Sequence, residues 1–197
     1  RARALHQKLF IADLHDDALL WSRNILQRYH YGQSDLPRLR EGRVALQVFA
    51  TVTKTPKNMN FERNAGDTDN VTSLAMIQAW PLRTWHSLLE RALWQAEKLH
   101  VAQAGSHGQL HIVRTQADLV KVFQSPAGGI AGLLATEGLH PLEGKLENLD
   151  RLYAAGFRMG GLTHFFDNEL GGSAHGMEKG GLTPFGRQVV TRMEEKR

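Results

Sequence analysis

Residues 11–17, Ile-Ala-Asp-Leu-His-Asp-Asp, end a short apolar run on two side chains that can bind a metal ion. His15 and Asp17 stand two positions apart, and in a β-strand that spacing directs both side chains to one face. An imidazole and a carboxylate that converge at the end of a strand form half of a hydrolytic zinc site. An acidic surface turn can show the same spacing, so the assignment depends on the rest of the chain.

Glu137 is a further candidate ligand, because it directly follows the apolar run 129–136. A carboxylate at that place can bridge two metal ions, with one oxygen on each. Gly138 would allow the backbone to turn close to the site. For His140 two interpretations stay open: a residue that supports Glu137, and a structural histidine in a turn, which is favoured.

His164 stands in the third candidate segment, after the apolar run 157–163. At that position it could donate a hydrogen bond to a developing oxyanion, and the alternative is a histidine packed at the end of a strand. The glycine-rich stretch 171–181 lacks both the Gly-x-Gly-x-x-Gly pattern and the Lys-Ser/Thr ending of phosphate-binding loops. We therefore predict no phosphate cradle there.

Apolar segments of strand length would position these residues. Four such segments occur, at 9–14, 43–53, 129–136 and 157–163. Helical patterns separate them, and strands that alternate with helices indicate a parallel α/β sheet. The helices are predicted over 71–104, with a break at Pro81, over 115–123 with a capping box of Thr115 and Asp118, over 146–155, and from Thr183-Pro184 to the end of the chain.

Four β/α units make half of a TIM (β/α)8 barrel, which takes about 250 residues and carries its catalytic groups at the carboxyl ends of the strands. We therefore predict an α/β fold in which residues 1–197 form the N-terminal part of a single metal-dependent hydrolase barrel domain. The remainder of the barrel would be absent from this chain. A bare half-barrel exposes sheet edges and apolar helix faces, so the missing C-terminal half is its expected partner.

Composition excludes several classes of protein. Lys and Arg are dispersed among acidic residues despite a formal charge of +4, so nucleic-acid binding is not predicted. The absence of cysteine excludes disulfides and thiolate ligands, whereas ten histidines favour metal or acid–base chemistry. No apolar stretch approaches the roughly 18–20 residues that span a bilayer. The chain begins at Arg1, so an upstream segment could have been removed, and bacterial cytoplasm and periplasm both stay open.

Six segments together resemble the membrane (renal) dipeptidases, the M19 metallopeptidases of the amidohydrolase-like barrels. These segments are, in the family's order, Asp13-Leu-His-Asp-Asp17, Ser34-Asp-Leu-Pro-Arg-Leu-Arg-Glu-Gly42, Val44-Ala-Leu-Gln47, Thr136-Glu-Gly-Leu-His140, Gly161-Leu-Thr-His164 and Gly181-Leu-Thr-Pro-Phe-Gly186. The run from Gly161 through Gly186 is similar to the bacterial branch. His-x-Asp in the first strand favours this family over its relatives, most of which carry His-x-His.

The resemblance implies a zinc-dependent dipeptidase that hydrolyses dipeptides through a metal-bridging hydroxide. It implies two zinc ions, with His15, Asp17 and Glu137 as metal ligands and Glu137 as the bridge between the ions. Glu137 and His164 would be the catalytic residues, and His164 would contact the substrate and its tetrahedral intermediate. The family's remaining metal histidines, the acidic residue near the leaving amine and the arginine for the substrate carboxylate match no position in residues 1–197. The fragment alone is therefore expected to be inactive, and a homodimer stays open.

Two alternatives remain at this stage. The first is another binuclear amidohydrolase-type hydrolase, such as a deacetylase or a lactonase, because substrate choice depends on loops and on the absent half. The second is a non-catalytic half-barrel that serves as a binding or structural module. The presence of His15, Asp17 and Glu137 together argues against the second.

Overall fold

The computed structural model describes residues 1–125 and 128–196, which form a partial α/β barrel. The strands in these ranges are β1 (Ile11–Asp16), β2 (Val44–Thr51), β3 (Leu110–Ile112), β4 (Ile130–Thr136) and β5 (Phe157–Gly160). The α-helices are α1 (Ala2–His6), α2 (Leu36–Glu41), α3 (Asn70–Ile77), α4 (Arg83–His86), α5 (Leu88–Gly105), α6 (Gln116–Gln124), α7 (Glu147–Ala155) and α8 (Pro184–Glu195). Single 3₁₀ turns cover Ala18–Leu20 and His140–Leu142.

All strand pairs are parallel, and β4 lies at the centre of the sheet. β1 pairs with β2, and β2 pairs with one edge of β4. The other edge of β4 is shared: β3 pairs with its first half, at Ile130–Gly132, and β5 with its second half, at Leu134–Thr136. β1, β2, β4 and β5 therefore follow one another side by side in chain order, as successive barrel strands do.

The sequence predicted four strands, and the fifth, β3, was missed. β3 has three residues, and only Leu110 among them is fully buried, so it carries no alternating pattern that could identify it. Its presence does not change the order of the other four strands. The predicted bounds are also shifted: the first strand lies at Ile11–Asp16 rather than 9–14, and the last ends at Gly160 rather than 163.

The core lies between the sheet and α5. Leu89, Ala92, Ala96 and Leu99 recur at helical spacing on α5 and are fully buried. They belong to one apolar cluster with Phe49 of β2 and Leu134 of β4, among others. This packing fixes α5 against the strands whose ends carry the candidate site.

The predicted helix signals are confirmed at most boundaries. Pro81 separates α3 from α4, and a second break at Ser87, which was not predicted, separates α4 from α5. The Thr115 and Asp118 capping box opens α6. Gly156, at φ +107°, ends α7, and Thr183 caps α8 ahead of Pro184. The last helix was predicted to the end of the chain; it ends at Glu195, and Arg197 lies outside the described residues.

Arg91 of α5 joins the loop 52–69, which follows β2, to the helices α3 and α4. Its side chain is 2% exposed. It donates to five acceptors, namely Thr84 O (2.7 Å), Thr53 O (2.8 Å), Asp69 Oδ2 (2.5 Å), Thr72 Oγ1 (2.7 Å) and Trp85 O (3.0 Å). Both ends of the loop, at Thr53 and Asp69, are therefore held by one side chain.

Within the ranges 1–125 and 128–196, no helix combines the length and apolar character needed to cross a bilayer.

Candidate metal centre

His15 and Asp17 are presented by the carboxyl end of β1. His15 is the fifth residue of the strand, and Asp17 follows the strand directly, at the start of the 3₁₀ turn Ala18–Leu20. The pairing with β2 is irregular between Asp13 and Asp16. Both side chains nevertheless lie on the same side of the strand end, since His15 Nε2 lies 3.2 Å from Asp17 Oδ1.

Glu137 is placed by the end of β4. Its N–H donates to Thr51 O of β2 at 3.1 Å, so the ladder between the two strands extends one residue beyond β4. Gly138 then turns the chain at φ +83°, a conformation that favours glycine. The Glu137 side chain is 14% exposed, and its Oε1 lies 3.7 Å from His15 Nε2.

His15, Asp17 and Glu137 form a donor set that fits a divalent metal ion. One ligand atom from each lies within 4.8 Å of the others. A zinc ion holds its nitrogen and oxygen ligands at about 2.0–2.2 Å, and therefore within about 4.4 Å of one another. The separations of His15 Nε2 from Asp17 Oδ1, 3.2 Å, and from Glu137 Oε1, 3.7 Å, already lie within that range.

The electrostatics of Asp17 support this fit. Burial, followed by the nearby Glu137 carboxylate, raises the pKa of Asp17 above its usual value. Its Oδ1 is shielded from solvent and receives no well-aligned hydrogen bond, although His15 is near. Two carboxylates that repel each other, one of them with an unpartnered oxygen, are stabilised by a shared cation.

His164 also lies at this centre, after β5. Its Nε2 is 2.8 Å from Glu137 Oε1, the same oxygen that faces His15. In this arrangement the imidazole of His164 contacts the Glu137 carboxylate at hydrogen-bond distance. A metal ion on Oε1 would free Nε2 to donate to another oxygen in the site. The four residues selected from the sequence thus lie together at the carboxyl ends of β1, β4 and β5.

His140 lies beneath the turn that carries Glu137. Its ring is buried, stacks on Phe166 at 4.3 Å, and accepts a hydrogen bond from Asn168 Nδ2 at 3.0 Å. Burial, with smaller contributions from the charges of His164 and Lys54, lowers the pKa of His140 to about 3. A Cβ on Gly138 would overlap the imidazole. This neutral, buried ring matches the structural-turn interpretation.

The glycine-rich segment 171–181 surrounds the carboxylate of Asp167. The backbone N–H groups of Ser173 and Glu178 each donate to Asp167 at 2.7 Å. A Cβ on Gly176 would overlap the same carboxylate. The backbone amides of this loop thus bind an anion from within the chain.

This loop in turn holds His164. Ser173 Oγ donates to His164 O, and the ring of His175 stacks on Phe165 at 4.8 Å. From the sequence, the segment only argues against a phosphate cradle, and Asp167 and Ser173 have no predicted role. The available signal was an acidic residue just ahead of a run of glycines.

The chain matches one protein family over nearly its whole length. The model of the membrane dipeptidases, peptidase family M19, matches residues 1–196. Among curated proteins, the chain is 26% identical over 196 residues to dipeptidase aclJ of Aspergillus oryzae, a match that covers 93% of this chain and 42% of the fungal protein. The chain therefore spans less than half the length of this relative.

Two solved structures are similar in fold. The probable dipeptidase PvdM from Pseudomonas aeruginosa has a TM-score of 0.70 at 20% identity, over 98% of this chain and 46% of that one. A metallopeptidase from Rhodobacter sphaeroides, solved with a phosphinate mimic of the dipeptide L-Ala-D-Ala, has a TM-score of 0.71 at 21% identity, over 95% and 56%. These likenesses show the fold, and they confirm a partial TIM barrel.

Proposed function

This chain belongs to the membrane dipeptidase family, peptidase family M19, and we propose that it supplies the first part of the active site of a zinc-dependent dipeptidase. In this proposal His15, Asp17 and Glu137 would hold zinc, and Glu137 would be the ligand shared by two ions. Residues 1–197 would be the N-terminal part of a single barrel domain. The substrates are dipeptides, the substrates that the family description names.

The observation that supports this proposal is the convergence of His15, Asp17 and Glu137 from two separate strands. Their ligand atoms meet at the carboxyl edge of the sheet, where barrel enzymes place their chemistry. Carboxylate and imidazole are ligand types that suit zinc, and two metal ions at such a site supply Lewis acidity and an activated water.

The chain's own residues have separate tasks. Glu137, fixed by its backbone hydrogen bond to Thr51 O, holds its Oε1 beside His15 and His164. His15 and Asp17 set the position of the first ion. His164 donates a hydrogen bond from Nε2 to the oxygen of the scissile carbonyl as negative charge develops there. Ser173 fixes the backbone of His164 through the hydrogen bond to its carbonyl.

Replacement of Glu137 by glutamine tests the bridging role. Glu137→Gln keeps the size of the side chain but removes its charge, so we expect lower metal content and at least about a 100-fold loss of kcat/KM, beyond what outer-sphere substitutions cost. Metal content is measured by elemental analysis of the full-length protein, and turnover by amine release from dipeptides with added zinc and with chelator.

Glu147→Gln, on exposed Glu147 of α7, is the matched control and should change neither quantity. Full activity of Glu137→Gln with two bound ions would reject the bridging role. Zinc-dependent cleavage of N-acetyl amino acids or lactones, with no cleavage of dipeptides, would assign the site to another hydrolase of the same barrel.

A further inference from the structure

A row of aromatic rings extends outward from His164. The His164 ring meets Phe165 edge-on at 4.6 Å, and Phe165 lies 5.6 Å from Phe61. His175 stacks on Phe165 at 4.8 Å and contacts Phe61 at 5.7 Å. Phe61, Phe165 and His175 together form an aromatic wall. Phe165 contacts His164, whose Nε2 lies 2.8 Å from Glu137 Oε1, so the wall borders the metal centre.

Phe61 stands out because it is 76% exposed on a loop that is firmly held. Asn60 Oδ1 accepts the N–H groups of both Glu62 and Arg63 at 2.8 Å. Asn64 Oδ1 accepts from Asn60 N at 2.9 Å. Side chains of this type stabilise turns by bonding to the nearby backbone. Among the described residues the loop therefore holds a large, exposed apolar ring in a fixed position beside the site.

The loop of Phe61 is also fastened to the loop of His164. His175 Nδ1 is 2.7 Å from Phe61 O, and Asn64 Nδ2 donates to His175 O at 3.0 Å. The N–H of Asn64 donates to the same carbonyl at 2.8 Å. Three hydrogen bonds thus set the distance between Phe61 and the residues that follow β5. The distance between Phe61 and Phe165 is therefore fixed by hydrogen bonds between the two loops.

We propose that Phe61 and Phe165 form the apolar wall of a subsite that receives a bulky apolar side chain of the dipeptide. This inference rests on the proposed function and adds the substrate class. The Phe165 ring lies 4.6 Å from the His164 ring and the Phe61 ring 5.6 Å from that of Phe165. Two residues of extended chain reach at most about 7 Å, so these rings are close enough to contact a side chain of a dipeptide whose scissile bond lies at Glu137 and His164. In this proposal a leucine or phenylalanine side chain would bury more of its apolar surface against Phe165 and Phe61 than an alanine methyl would.

The test compares substrates in the full-length protein loaded with zinc. The substrates are Ala-Ala, Leu-Ala, Phe-Ala, Ala-Leu and Ala-Phe, and the variants are Phe61→Ala and Phe61→Leu. We expect the wild-type protein to prefer the bulky residue at one of the two positions. In Phe61→Ala the ratio of kcat/KM for the bulky substrate to that for Ala-Ala should fall roughly tenfold, as for other apolar pockets. Phe61→Leu should restore part of it.

Phe10→Ala is the control, because Phe10 is also strongly exposed, at 63%, but precedes β1 and packs on Phe123. It should leave the ratio unchanged. Melting temperatures accompany each variant, since truncation of an exposed ring should not lower stability.

Three results would overturn the inference. An unchanged ratio of kcat/KM values in Phe61→Ala would show that the aromatic wall does not contribute to selection of the substrate side chain. An equal loss for all five dipeptides, with a lower melting temperature, would show that Phe61 is needed for folding or packing instead. If the wild-type protein cleaves none of the dipeptides, the proposed function fails, and the subsite falls with it; that outcome is seen before any Phe61 variant is measured.

Discussion

Removal of the Arg91 side chain should strongly destabilise the protein. The proposed substitution is Arg91→Met, which keeps an unbranched apolar chain of similar length in the buried position. It deletes all five donated hydrogen bonds and leaves the Asp69 carboxylate without its cationic partner. Breaking a buried ion pair by removing one partner costs about 3–5 kcal/mol.

The lower end of that range, about 3 kcal/mol, is expected here. Asp69 is only partly buried, and it keeps its hydrogen bonds from Thr72 Oγ1 at 2.6 Å and Val71 N at 2.9 Å. A second substitution, Asp69→Asn, removes the abandoned charge. The double variant Arg91→Met/Asp69→Asn should therefore be less destabilised than the sum of the two single variants.

The assay is denaturant-induced unfolding of the full-length protein, followed by circular dichroism, with a melting temperature for each variant. Arg83→Met is the matched control, since Arg83 pairs with Glu90 and Glu97 while its side chain is 42% exposed. Exposed pairs contribute no more than about 1 kcal/mol. If Arg91→Met lies within about 1 kcal/mol of wild type, or matches Arg83→Met, the reasoning about this buried network is wrong.

Two further predictions concern the start of α6 and the glycine-rich loop. Thr115→Ala removes the hydroxyl that accepts a hydrogen bond from Asp118 N and should lower the free energy of unfolding by about 1 kcal/mol. Gln116→Ala, at the next position, is the control. An equal effect of the two substitutions would contradict the capping argument. Although burial opposes it, backbone N–H donors led by those of Glu178 and Ser173 lower the pKa of Asp167. The stability that this carboxylate contributes is therefore present above its unfolded pKa and lost as pH falls through its folded pKa, so Asp167→Asn should flatten the acid limb of the melting-temperature profile. An acid limb identical to that of wild type would refute it.

Local signals in the sequence were sufficient for much of the fold. Thr115 and Asp118, Pro81 and Gly156 each act on the few residues beside them, and each marks a boundary in the structure. The strand end that carries Glu137 follows an apolar run, because a parallel strand buried on both faces, as β4 is, needs continuous apolar residues. β1, which carries His15, is mostly exposed, and the spacing of His15 and Asp17 rather than burial marked its end.

Other features depend on partners that are distant in sequence. The loop with Phe61 is ordered through Asn64, whose amide binds His175, 111 positions away. A sequence shows the polar residues of such a loop, but not which distant carbonyl they meet. β3 was missed for a related reason, because three residues become a strand only through pairing with the first half of β4.

The cradle around Asp167 has a consequence for how the site responds to ligands. Glycine-rich loops commonly use their backbone amides to bind a phosphate or another anion from solution. Here the chain provides that anion, so the loop holds His164 and His175 in place whether or not a substrate is bound. The conformational entropy of this loop is therefore lost during folding and not during substrate binding. The aromatic wall is thus preorganised, and inorganic anions in solution have no free amides to occupy at Asp167.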